Sequence, residues 1–93
     1  MKPILVTTKY RGVFFGYLDG EPDKLPKEIT LTDAQNCVYW SKAERGVFGL
    51  AAQGPDADCR IGPKVPQLTI YDVTSVADCT PEAAEKWKLT PWS

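Results

Sequence analysis

Eight prolines and seven glycines punctuate a chain of only 93 residues. That is too often for long helices, because proline removes a helical hydrogen bond and glycine gives up more backbone freedom than any other residue. The same residues are at home in turns, so a compact, turn-rich, mainly β chain is expected. The length fits a single domain over residues 1–93, with no room for a second independent core. With 43% hydrophobic and 25% charged residues, the chain falls in the globular range and outside the disordered one.

Read from the start, Ile4–Thr8 and Val13–Leu18 predict an N-terminal hairpin through a turn at Lys9–Gly12. Gly16 interrupts a run of large side chains, which predicts a bulge or a close backbone approach. Asp19-Gly20 signals a turn, and residues 20–27, with Pro22 and Pro26, read as a surface loop. Glu28–Thr32 alternates polar and apolar as a half-buried strand does. A tight connection through Asp33–Asn36 then leads to a second strand at Cys37–Trp40. Gly46–Gln53, closed by Gly54-Pro55, reads as a two-turn helix, with a strand over 47–50 as the alternative.

Short strands are expected at Cys59–Ile61, Gln67–Ile70 and Thr74–Ala77. Pro63 and Pro66 keep the segment between them off any central ladder. The clearest helix is the last: Thr80 as N-cap, Pro81 in the first helical position and Glu82 where the helix dipole favours an acid. Ala83, Ala84 and Trp87 face inward, with Glu82 and Lys86 outside. The fold class is therefore mainly β with minor α. It is expected to be a small antiparallel sheet or partly open barrel of about six short strands, with a short central helix and a C-terminal helix.

There is no histidine, which removes Ser-His-Asp and Cys-His nucleophile systems, histidine-metal sites and the commonest general base near neutral pH. Eleven basic and twelve acidic residues leave a formal charge of −1, so no basic field draws the chain to nucleic acid. Cys37, Cys59 and Cys79 form no C-x-x-C pair, which argues against zinc. Three cysteines without a signal peptide fit a reducing compartment and read as small buried hydrophobes. The N-terminal aliphatic run is too short for a secretory core, and no apolar stretch reaches the roughly 18 residues of a membrane span. A cytoplasmic chain is expected.

The carboxylate sets Asp56/Asp58 and Asp19/Glu21/Asp23 begin as a calcium loop does, but lack its later glycine and glutamate. Solvated turns account for them, and no metal or cofactor is expected. Cys37 lies beside Val38, Tyr39 and Trp40, an apolar setting that makes a thiol inert. Two constellations remain. Arg45, Gly46, Arg60 and Lys64 combine a glycine-opened helix with cations and would suit an anion such as a nucleotide phosphate. They match neither the P-loop nor the dinucleotide fingerprint, and structural turns explain the same glycines. Aromatics form the second: Phe14, Phe15, Tyr17, Tyr39, Trp40, Phe48 and Tyr71 exceed what so short a chain can bury. Tyr17, Tyr39, Trp40 and Tyr71 are therefore candidates to face a partner. An aromatic-rich core is the alternative. Trp92 is either disordered or docked on a neighbour.

Asn36-Cys37-Val38-Tyr39-Trp40-Ser41, Gly46-Val47-Phe48-Gly49-Leu50-Ala51 with Gly54-Pro55, and Cys59-Arg60-Ile61-Gly62-Pro63 stand with Arg11–Gly16 and Cys79–Ala83 in an arrangement that covers roughly residues 3–88. The chain resembles a family of small uncharacterised proteins encoded in bacteriophages and prophages. The resemblance implies an accessory protein acting in the host bacterial cytoplasm, and it brings no catalytic residue with it. Two functions are then expected. The first is a non-enzymatic protein that binds and inhibits a host protein, for example one of anti-phage defence. The alternative is an oligomer that sequesters a small nucleotide signal through Arg45, Gly46, Arg60 and Lys64.

Overall fold

The computed structural model describes residues 1–9, 12–20, 28–40, 42 and 46–89. Six strands and two helices run β1 (Lys2–Thr8), β2 (Val13–Leu18), β3 (Glu28–Tyr39), α1 (Val47–Ala52), β4 (Arg60–Ile61), β5 (Val65–Tyr71), β6 (Val73–Asp78) and α2 (Pro81–Leu89). All strand pairs are antiparallel, in the order β4-β3-β2-β1-β6 with β5 also on β3. The mainly β fold with two short helices is as the sequence predicts, and residues 47–52 are helix rather than strand.

The hairpin of β1 and β2 runs in unbroken register from Lys2 opposite Leu18 to Thr7 opposite Val13. Its turn is closed from Thr8 N–H to the Gly12 carbonyl and from Gly12 N–H to Thr8 Oγ1, each at 3.0 Å. A Cβ on Gly12 would lie 2.6 Å from that same Oγ1, so only glycine lets the turn close this tightly.

One expectation fails at β3. Asp33–Asn36 is not a connection between two strands; Glu28–Tyr39 is a single strand of 12 residues. The turn-favouring residues build a bulge instead: Phe15 opposes Gln35 while Tyr17 opposes Thr32, so Asp33 and Ala34 together face Gly16. Asp33 takes φ 51°, a left-handed conformation that aspartate tolerates better than most residues. Gly16 is the close approach the sequence calls for, since a Cβ there would sit 2.7 Å from Leu31 Cβ.

The strands at 67–70 and 74–77 prove to be longer and nearly continuous. β5 pairs with β3 and β6 pairs with β1, and only Asp72 (φ 56°) separates them. Asp72 also accepts the Lys9 N–H through its carbonyl at 3.0 Å. The two margins of the open sheet are thus drawn together at one corner, and the sheet curls. Pro66 lies on β5, an outer strand, where a missing N–H costs least.

Strand alternation sorts the apolar residues into two cores. Ile4, Val6, Leu18, Ile29, Leu31, Ala34 and Ile70 fill the inside of the curl. Leu5, Val13, Phe15, Cys37 and Ile61 point the other way and meet Leu50, Ala51, Cys59 and Trp87 beneath the helices. Gln35 is the one buried polar residue among those described, and its Oε1 has no hydrogen-bond partner. Such an orphan costs about 1–3 kcal/mol.

Thr80 caps α2 as predicted, accepting the Ala83 N–H at 3.1 Å and donating to the Ala52 carbonyl at 2.7 Å. One hydroxyl thereby joins both helices. Helix α1 has 6 residues and no side-chain cap, too few to persist alone. It is held by burial of Leu50 and Ala51 and by the Trp87 indole N–H, which donates to the Leu50 carbonyl at 3.1 Å.

Candidate functional site

The described surface is indented by a cleft of about 380 Å³ lined by Thr7, Thr8, Gly12, Val13, Trp40, Val47 and Thr74. Five segments converge to make it. The ends of β1 and β2 supply Thr7, Thr8 and Val13, the residue after β3 supplies Trp40, α1 supplies Val47, and β6 supplies Thr74. Its size lies at the lower end of small-molecule sites.

A second bulge shapes its polar wall. Thr7 opposes Ser75 but Thr8 opposes Val73, which leaves Thr74 as the extra residue. Consecutive strand side chains ordinarily point to opposite faces, and a bulge re-aims one of them. Thr74 Oγ1 lies 2.8 Å from Thr7 Oγ1, and Ser75 Oγ also bonds Thr7 Oγ1. The opposite wall is the half-buried Trp40, which packs on the helix-covered core together with Val47.

The aromatic candidates divide. Tyr39 and Tyr71 are exposed, at 53% and 64% of their surface. Tyr17 and Trp40 are half-buried, and the Tyr17 ring meets Phe15 edge-on with centroids 5.4 Å apart. Phe48, not among the four candidates, is the most exposed of the described aromatic residues at 78%. Tyr39 adjoins Trp40 in the chain and Phe48 adjoins Val47, but neither exposed ring lines the cleft. Trp92 lies outside the described residues.

The anion constellation is placed in part. Gly46 precedes α1 with φ 95°, and α1 packs on α2, β1 and β6. Arg60 is exposed on β4 opposite Tyr39, and Lys64 is exposed between β4 and β5. Arg45 lies outside the described residues. Sequence reasoning did not find Thr7, Thr8, Thr74 and Ser75, since Thr7 and Thr74 stand 67 positions apart and threonine in a strand is unexceptional.

The cysteines are not disulfide-bonded; Cys37 and Cys59 are buried and Cys79 is half-buried. Burial, with Asp78 adding repulsion, pushes the Cys79 thiol up to about 12. Tyr17 is raised in the same sense, first by burial and then by Asp33, Glu85 and Cys79. The folded chain therefore holds these protons more tightly than the unfolded one. Their contribution to stability is complete below the ordinary thiol value of 9.0 and is lost as pH rises toward the folded value. Thermal midpoints are expected to stay level near neutrality and fall above about pH 9, with a shallower fall in Cys79→Ala. Melts across that range check this, and identical slopes in the two proteins would refute it.

Among the described residues no group of three potential acidic, cysteine or histidine ligands could hold a metal ion. No helix among them is long and apolar enough to cross a membrane. A family profile described as a domain of unknown function (DUF6948) matches residues 1–87. No curated protein and no solved structure matches the chain.

Proposed function

This chain belongs to the DUF6948 family, and we propose that it works by binding rather than by turnover. In this reading it is a phage- or prophage-encoded accessory protein of the bacterial cytoplasm that inhibits a host protein, such as a component of anti-phage defence. The observation that carries the reading is the exposure of Tyr39, Phe48 and Tyr71. Phe15 and Trp87 are fully buried, so the surplus of rings falls on Tyr39, Phe48 and Tyr71. Large rings left in water are unfavourable, and on contact with a partner they yield more binding energy than most side chains. The motif resemblance supports the phage origin, and the lack of histidine supports a role without general base catalysis.

The test compares wild type with Tyr39→Ser/Phe48→Ser as tagged baits in lysate of an infected host. Both side chains are exposed, so the variant should fold. Wild type is expected to retain one host protein in stoichiometric amount. Because each lost anchor costs about 2 kcal/mol or more, the variant is expected to lose it. Retention of the same protein by both baits, or of none by wild type, would overturn the reading.

A further inference from the structure

We propose that the cleft between Thr7, Thr74 and Trp40 is a binding site for an uncharged, polyhydroxylated ring, that is, a sugar of one or two units. The site is independent of the protein-binding reading, which rests on the exposed rings rather than on the cleft hydroxyls.

Three observations select this class of ligand. The first is charge: no ionisable side chain occurs among the described lining residues, so these residues offer a phosphate or carboxylate no counter-charge. The second is shape. Trp40, Val13 and Val47 offer an apolar wall, and the C–H face of a sugar ring stacks on an indole without asking it for hydrogen bonds.

The third is the balance of donors and acceptors. Thr7, Thr74 and Ser75 are linked by two hydrogen bonds centred on Thr7 Oγ1. Each hydroxyl brings one donor and two lone pairs. Two internal bonds therefore consume two donors and leave a surplus of acceptors. Thr8 Oγ1 already accepts from Gly12 N–H, which leaves its own O–H as a further donor. Of the hydroxyls that line the cleft, those of Thr7, Thr8 and Thr74 can each donate and accept, and can therefore meet the hydroxyls of a sugar, which do the same. The bulge at Thr74 is what gathers these hydroxyls, because in a regular strand Thr74 and Ser75 would face opposite sides.

The test is a two-dimensional amide and indole NMR titration of the whole chain with glucose, galactose, N-acetylglucosamine and maltose, each up to about 50 mM, the range in which weak sugar sites fill. Adenosine and inorganic phosphate serve as the competing classes. At least one sugar is expected to shift the Thr7 and Thr74 amides and the Trp40 indole N–H, and to do so saturably. Thr74→Val keeps the shape and removes a hydroxyl, and is expected to weaken binding about tenfold. Thr74→Ser is expected to bind within about threefold of wild type. Thr30→Val removes a hydroxyl from the Thr30–Thr69 pair and is expected to change nothing. The proposal is overturned if no sugar shifts these signals, if adenosine or phosphate binds there and sugars do not, or if Thr74→Val binds as tightly as wild type.

Discussion

Trp87→Ala is expected to lower the thermal midpoint by at least about 12 °C, the effect of losing roughly 3–5 kcal/mol in a domain of this size. The side chain is fully buried and stacks on Phe15 with centroids 4.9 Å apart and planes 3° from parallel. Its removal opens a cavity where the sheet meets both helices. It also leaves the Leu50 carbonyl without the indole N–H, and α1 depends on that bond for its place. Trp87→Phe keeps most of the stacking area but loses the donor and part of the ring, so it should cost less than alanine, about 1–3 kcal/mol. Circular dichroism melts of the two variants separate the contributions. An alanine variant within about 4 °C of wild type would mean that α2 carries little of the stability.

Gly54→Ala is expected to destabilise by about 2–5 kcal/mol, combining left-handed strain with overpacking. Gly54 takes φ 83°, and a Cβ there would lie 2.8 Å from Lys86 Cβ and 3.0 Å from the Ala83 carbonyl oxygen. The Ala83 backbone cannot step aside without moving α2. Gly46 provides the control: with φ 95° and ψ −169° it too takes a backbone that glycine adopts far more readily than other residues, but a Cβ there meets nothing within 4 Å. Gly46→Ala should therefore cost only the conformational part, about 1–3 kcal/mol. Urea unfolding of both variants decides the matter, and equal losses would show that crowding at Gly54 is relieved without cost.

What the residues declare locally could be read from them. The hairpin announces itself through aliphatic runs around a glycine turn, and α2 through Thr80-Pro81-Glu82, whose capping bonds form as expected. Gly16 shows its close approach by standing among large residues. The continuity of β3 was not legible, because Asp33 and its neighbours suit a turn and a bulge equally well, and only the register against β2 distinguishes them. The aromatic surplus was legible as a quantity, whereas its distribution was not. Trp40 faces the core beside Val47, and Phe48, one position on, faces water. The hydroxyl wall was hidden for a different reason: it exists only where β6 returns to β1.

The single residue joining β5 to β6 has a consequence for biogenesis. The meander of β1, β2 and β3 can pair as soon as it leaves the ribosome, but both of its margins stay open until residues 65–78 arrive. At ordinary elongation rates of about 5–20 residues per second, that interval lasts on the order of 2–8 s after Tyr39 is added. During it Ile4, Val6, Ile29 and Leu31, which later fill the inside of the curl, line an unclosed and adhesive surface. Closure then joins segments distant in sequence, the kind of step that makes β folds slow. Truncation anywhere before Asp72 would make that temporary exposure permanent.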